Sequence, residues 1–505
     1  MTANGDRPGE VGDVYAFFLE RPGRWAAVQV IDLPEEGIAT LAAFDWTGSE
    51  APADVSVLAD ADRMIRDFLF WEPEEFVQKV ALPPPPGFRL IGVLPVRGRE
   101  AECRRSGDWC FDGRIEQQLW WNALPGELRA RFKAGLAEEE VYVVPGMRYR
   151  RSGELVETVS RATTTFDGEA ALLTEEFELT ALRSWPLLVD LRLSGWRDDL
   201  LPFLESSPLM RELTLRAHGR RELDLSRTSL RTLRIDQEGL RRLVLPETLD
   251  MLILHGDSDG PLRVEAEEHG RWIRLQLTGG PAPVDGLERL RALRIDAIDE
   301  LSVEDVWARH PGLRSLTLFG SPGVAREIAS LAAFPQLEEL WLGDLFGYGA
   351  ADFPGPGGIP RVRRIALDSV PADVARQVRK AYRGAPGIDV DVRRPRNDTW
   401  REQNLGNPLR HWEGQEGLPQ AVARKANAAW RTAIAVVRRP GVESATIVSA
   451  TSVFLDVIRA LDEKHGFLHT LEREQVVEAV EMLAAGLSTE QRARLEPAAE
   501  EALDG

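Results

Sequence analysis

One phrase recurs nine times along the middle of the chain: an apolar residue, two variable residues, then Leu-x-Leu or a close equivalent. It runs through Leu188-Leu191-Leu193, Met210-Leu213-Leu215, Leu230-Leu233-Ile235, Leu249-Leu252-Leu254, Trp272-Leu275-Leu277, Leu290-Leu293-Ile295, Leu313-Leu316-Leu318, Leu337-Leu340-Leu342 and Val362-Ile365-Leu367. The middle residues fall at 191, 213, 233, 252, 275, 293, 316, 340 and 365, so the steps lie between 18 and 25 residues. A period of that size marks a stacked repeat in which no unit can bury its own leucines and neighbours must close the core together. Alternation along each x-Leu-x-Leu-x segment predicts a strand with its leucines inward and its x positions on an open, concave side. The phrase also sounds at half period, at Leu223-Asp224-Leu225 and Leu243-Val244-Leu245, which predicts short strands on the opposite side of the tighter coils. Residues 303–308 and 325–333 look helical instead.

The flanking regions follow other periods. Residues 11–18 and 25–33 are rich in aromatic and β-branched side chains and are separated by Arg21-Pro22-Gly23-Arg24, the pattern of a hairpin. Residues 88–96 read as a further strand after the stiff Pro83-Pro84-Pro85-Pro86 run, and residues 60–70 and 124–132 read as helices. Trp25, Trp46, Trp71, Trp109, Trp120 and Trp121 all fall here and are expected to fill a core. Beyond the Arg393-Arg394-Pro395-Arg396-Asn397 linker the pattern turns helical. Apolar positions recur at helical spacing over 421–437, 447–461 and 471–483, and Ser488-Thr489 is placed to cap a last helix. The expectation is an α/β multidomain chain: an α+β domain over 1–165, a repeat solenoid over 166–395 and a helical bundle over 396–505.

Composition narrows the class. A length of 505 residues suits about three domains, and 43% hydrophobic with 28% charged residues is ordinary for a soluble globular protein. The net charge of −19 argues against nucleic acid as the general partner. Only Cys103 and Cys110 occur, too few for a disulfide framework. The chain opens on a polar Met1-Thr2-Ala3-Asn4-Gly5-Asp6, and no uninterrupted apolar run reaches the roughly 18 residues that spanning a bilayer requires. A cytoplasmic location with no membrane partner is the expectation. Of 62 basic residues only Lys79, Lys133, Lys380, Lys425 and Lys464 are lysines, a bias that suggests a GC-rich bacterial genome.

The repeat resembles the leucine-rich repeat family over some two hundred residues, with a departure. Where that family places a regular Asn after each strand, this chain has Gly195, Gly256, Gly279, Gly320 and Gly343. The opening Gly12-Asp13-Val14-Tyr15-Ala16 and Gly23-Arg24-Trp25-Ala26-Ala27-Val28-Gln29-Val30 resemble the first strand pair of the bacterial immunity protein 26 family, with Ala27 and Val28 ahead of the Gln. That resemblance implies a protein that neutralises a toxin domain, and carries over no active residue.

Chemistry-bearing motifs are sparse. There is no Gly-x-Ser-x-Gly, no phosphate-cradling Gly-x-x-x-x-Gly-Lys and no His-Glu-x-x-His, so no catalytic, cofactor-binding or metal-binding residue and no cofactor is assigned. His465 and His469 have the spacing of two ligands on a helix face, but Gly466 interrupts them and a helix end is the better reading. Asp257-Ser258-Asp259-Gly260 lacks the spaced Glu of a calcium loop and reads as a turn. Cys103 and Cys110 read as free thiols.

The concave x positions are the strongest candidates. They offer an arginine set, Arg192, Arg216, Arg234 and Arg294 with Arg274 beside it, and an aromatic patch, Phe319 and Trp341. Residues 345–358, a glycine-rich stretch with Phe346 and Tyr348, read either as a protruding partner-binding loop or as a cover folded over the last coil. Arg and Trp are enriched among interface anchors. The expectation is a non-enzymatic module that binds a protein partner with an acidic surface through the concave face, with a toxin-neutralising role implied by the immunity resemblance. The alternative is a substrate or regulated effector of a partner protease, with residues 393–408 as the exposed linker.

Overall fold

In a computed structural model, residues 9–97, 107, 109–136, 141–143, 147–151, 154–156, 158–160, 163–169, 171–174, 177–256, 258, 260–279, 283–415, 418–488, 491–492 and 495 are described. They gather into two units, Met1–Thr214 and Leu215–Gly505.

The first unit is built on an antiparallel sheet of β1 (Asp13–Leu19), β2 (Arg24–Glu35), β3 (Ile38–Ala43), β4 (Val77–Ala81) and β5 (Arg89–Val93) in the order β4-β3-β2-β1-β5. β1 reads DVYAFFL and is apolar on both faces, because both are covered. Tyr15, Phe17 and Leu19 pack with Phe76, Trp109, Phe111 and Ile115, while Val14 and Ala16 pack on the other side with Phe44, Leu58 and Ile91. Two helices follow, α1 (Asp112–Ala123) and α2 (Gly126–Leu136). Residues 60–70, expected as a helix, form none and instead include a two-residue strand, Ile65–Arg66, followed by a turn at residues 68–70. Met64, Arg66 and Phe68 are buried while Ile65 is exposed, a period of two that a helical reading of the same apolar residues misses. Of the parallel repeat, β6 (Asp190–Ser194) lies in this unit and pairs with Thr165–Asp167.

The second unit holds a parallel ladder of its own. Its parallel strands are β7 (Thr232–Asp236), β8 (Met251–His255), β9 (Arg274–Thr278), β10 (Ala292–Ser302), β11 (Ser315–Arg326), β12 (Glu339–Phe346), β13 (Arg364–Asp368) and β14 (Asp389–Arg393), each paired with the next. Register sets Leu233, Leu252, Leu275, Leu293, Leu316, Leu340 and Ile365 side by side, and Ile235, Leu254, Leu277, Ile295, Leu318, Leu342 and Leu367 likewise. All fourteen side chains are buried. These two apolar columns are the core, and they exist only because the strands stack. β14, with Val390 and Val392 in place of leucines, continues the period one step past the last coil expected from the sequence.

The half-period signals are a second parallel sheet of four short strands: Glu222–Asp224, Arg242–Val244, Leu262–Glu265 and Val284–Asp285. Later coils replace them with α3 (Val303–Arg309) and a 3-10 turn (Ile328–Ala333), so residues 325 and 326, expected as helix, extend β11 instead. After β13 comes α4 (Ala372–Ala381), and after β14 come α5 (Asp398–Asn404), α6 (Gln420–Val437), α7 (Ser444–His465) and α8 (Thr470–Leu483). Trp412, Trp430, Phe454, Ile458 and Val476 centre the helical core. By length and composition α7 is the one helix among the described residues that could cross a membrane, yet its Ile447, Phe454, Leu455 and Ile458 face is buried. Gly466 ends α7 in the left-handed conformation and His469 caps α8, so these histidines serve the helix ends. Asp257, Asp259, Cys103 and Thr489 lie outside the described residues, and Cys110 is exposed.

A buried ionic joint fastens repeat to helices within this unit. Asp344 at the centre of β12 accepts hydrogen bonds from Ser369 Oγ (3.0 Å), Arg410 Nε (2.9 Å) and His411 Nε2 (3.2 Å). Burial alone would raise its pKa, but His411 and Arg410 outweigh that and hold the carboxyl below its ordinary value. Asp368 pairs with Arg394, and Arg396 lies over the Trp400 ring at 3.8 Å. Asp344→Ala strands a nearly buried guanidinium and is expected to cost on the order of 3–5 kcal/mol, read as a lowered denaturation midpoint. An unchanged midpoint would show the joint to be dispensable.

Candidate functional site

Since the leucines of each strand point inward, the alternate residues form rows across the outer face of the ladder. The central row, in register, is Arg234, Ile253, Gln276, Arg294, Thr317, Trp341, Ala366 and Asp391. Its middle carries the largest exposed side chain of the ladder. Trp341 is 43% exposed, and its indole meets the Phe319 ring edge-on with centroids 5.5 Å apart. The Arg294 guanidinium lies over the same Phe319 ring, 5.0 Å from its centroid. Arg294 is aimed by Asp296, whose two carboxylate oxygens accept from its Nε at 3.0 and 2.8 Å, and Gln276 Nε2 donates to the same carboxylate at 2.9 Å.

Gly343 makes room for this set. It sits opposite Phe319 in the β11–β12 register, and a Cβ there would lie 2.2 Å from Phe319 Cδ1. A side chain at 343 and the ring at 319 cannot both occupy their places. One of the glycines standing at the family's Asn position therefore serves the outer face.

Two of the arginines expected to form a positive stripe are paired with carboxylates. Arg294 pairs with Asp296, and Arg192, in the first unit, pairs with Asp190 at 2.9 Å, which raises its pKa. Arg393 pairs with Asp391 in the same way. Arg234 is half-buried beside Asp236, Arg216 is the exposed last residue of the strand Glu212–Arg216, and Arg274 is exposed at the start of β9 in a different row from Arg294. At Arg294-Asp296 and Asp391-Arg393 the outer face of the second unit's ladder therefore alternates charge, and an acidic partner surface for it is not shown. Asp-x-Arg and Arg-x-Asp pairs place opposite charges on one face of a strand, a signal legible at Arg294-Ile295-Asp296 that went unread. The loop residues also depart from expectation. Phe346 and Tyr348 are 3% and 8% exposed, so neither presents a surface to a partner. Phe346 ends β12 under Arg401, and the stretch is pinned back by Tyr382 Oη donating to Pro354 O (3.1 Å) and by Asp373 accepting from Ala350 N (2.9 Å). The folded-back cover is the arrangement present.

His255 extends the face toward β7. Its Nδ1 lies 2.6 Å from Thr278 Oγ1. Burial lowers its pKa below 6.5, Arg216 and Arg234 push the same way, and Asp236 opposes them.

No family model matches the chain, and no curated protein matches it, so the likeness of the opening strands to the immunity protein 26 family stays a likeness of one strand pair. Among solved structures it is similar to an internalin (inlF) from Listeria monocytogenes, at 13% identity and a TM-score of 0.24, over 44% of this chain and 65% of that one. The match thus spans under two thirds of the internalin. It is also similar to a chain of the LRIM1/APL1C complex, at 13% identity and a TM-score of 0.19, over 63% of this chain and 84% of that one. At these scores neither likeness carries an argument, and the leucine-rich-repeat-like character of the fold rests on the ladder itself.

Two outcomes test the geometry. Gly343→Ala overpacks Phe319 and is expected to cost about 1–3 kcal/mol of stability. In a Phe319→Ala background the same substitution is expected to cost nearly nothing; equal costs in both backgrounds would contradict the steric pairing. For His255 the folded state resists the proton more than the unfolded chain does, so stability is full above about pH 6.5 and falls as pH drops below it. The fall in melting temperature between about pH 7 and 5.5 is expected to shrink in His255→Gln, and an identical fall would remove His255 from the pH response.

Proposed function

We propose that this chain is a non-enzymatic protein-interaction module that grips a protein partner through the outer face of its strand ladder. The observation that carries the reading is the Arg294–Phe319–Trp341 set: large aromatic surface left open on a sheet face, with its cationic neighbour already held by Asp296, whose carboxylate Gln276 in turn braces. An exposed Trp packed on a Phe that carries an oriented Arg is the kind of residue group that dominates interface energetics. Preorganisation lowers the ordering cost of binding, since the guanidinium does not have to be fixed when the partner arrives. Because the neighbouring charges alternate in sign, the partner surface this face fits is mixed in charge around an apolar centre. The reading assigns the chain no reaction.

The test is affinity capture with immobilised wild-type protein, Trp341→Ala and Arg294→Glu, followed by titration of whatever the wild type retains. Trp341 is exposed, so its truncation leaves the fold intact. A partner of this face is expected to bind roughly 30-fold more weakly to Trp341→Ala, the effect of losing an interface anchor of about 2 kcal/mol. Unchanged affinity in both variants would move the binding site off the ladder.

A further inference from the structure

Outside the strand face, one part of the second unit carries charge that nothing in the described residues answers. From residue 361 to residue 396 there are ten cationic side chains against four carboxylates, in a chain of net charge −19. Each of the four carboxylates is engaged with a group other than the cations of α4: Asp368 with Arg394, Asp391 with Arg393, Asp389 with Arg364 at 3.9 Å, and Asp373, in the first turn of α4, with the backbone of Ala350. The helix itself explains what is left over. Val374, Ala375 and Val378 are its buried face, followed by the buried Tyr382. Arg376, Arg379, Lys380 and Arg383 recur at spacings of three and four residues on the opposite side, all exposed. Arg379 donates to Val392 O at 2.8 Å, and among the described residues Arg376, Lys380 and Arg383 have no carboxylate partner. With Pro395 these four cations line one cleft of about 580 Å³.

We infer that this cleft is a second docking surface, which takes a short acidic segment of a partner protein. Four like charges on one helix face repel one another, and a ligand that neutralises them recovers that cost. Three of the four are arginines, whose planar guanidinium pairs with carboxylates two bonds at a time. The size fits a peptide. A ten-residue helix is roughly 15 Å long, which an extended chain covers with about five residues. Nucleic acid fits less well, because a duplex places one phosphate charge about every 1.7 Å and would lay its flanks against a strongly acidic protein. The surface is separate from the Arg294–Phe319–Trp341 face, so either can fail without the other.

Fluorescence anisotropy with a fluorescein-labelled octaglutamate peptide, added to the full chain, tests this. Saturable binding in low salt is expected, weakened about tenfold or more as salt rises from about 50 to 200 mM. Arg376→Glu with Arg383→Glu is expected to weaken it at least tenfold further. Lys425→Glu with Lys464→Glu, which changes the net charge equally at exposed positions elsewhere, is expected to bind as the wild type does. Arg376→Gln and Arg383→Gln taken singly, each costing about threefold, keep the test readable if the double reversal disturbs the fold. Absence of saturable binding, equal weakening by the two double variants, or tighter binding of a single-stranded oligonucleotide of matched length would each overturn the proposal.

Discussion

A five-residue strand of the form x-Leu-x-Leu-x has two apolar side chains on one face and nothing within its own coil to dry them. The parallel neighbours supply what is missing: Leu316 lies between Leu293 and Leu340, and Leu318 between Ile295 and Leu342, with every one of them buried. At about 25 cal/mol per Å² of apolar surface, such side chains are worth roughly 2 kcal/mol each only when both neighbours are present. Stacking is therefore a condition of folding, and the in-register ladder follows from it. Register in turn fixes everything on the outer face, because a slip of one residue would exchange the leucine columns with the Arg294 and Trp341 row.

That constraint separates two kinds of surface. On the strands, side chains two apart in sequence are neighbours, so Arg-x-Asp segments neutralise themselves and the row keeps only its aromatic centre uncompensated. On α4 the neighbours are three and four apart, and there the sequence repeats the same sign. The strand face is suited to shape and apolar contact, and the helix face to charge. An arginine count alone does not distinguish them; the periodicity of the element that bears the arginines does.

Much of the ladder was legible because its signal has a period. Nine strand positions could be marked from leucines alone, and the half-period echoes at Leu223 and Leu243 fall in the second sheet. β14 escaped because valines at 390 and 392 replace the leucines, although the step from 365 to 390 matches the preceding ones. Residues 60–70 misled because Met64, Ile65, Phe68 and Leu69 satisfy a helical spacing as well as an extended one, and only burial of Arg66 decides between them. Within the candidate site, Trp341 and Phe319 were readable from alternation. The part of Gly343 was not, since its role depends on which residue of the next strand lies opposite. Phe346 and Tyr348 looked like a sticky loop for the opposite reason: nothing in a local window reveals that α4 and α5 will cover them.

The ionic joint at Asp344 shows how far the ladder's logic reaches. Asp344 occupies β12 among inward-facing neighbours and would be a costly guest in an apolar column. It is tolerated because Arg410 and His411, sixty-six and sixty-seven residues later, bring matching donors to it. A repeat that ended at β14 without those residues would carry an uncompensated buried carboxylate at its third-last strand. The helices after β14 thus complete the repeat chemically as well as cover it, which is why the second unit runs through both and why a cut at the linker around residue 395 would leave each side with unpaired buried charge.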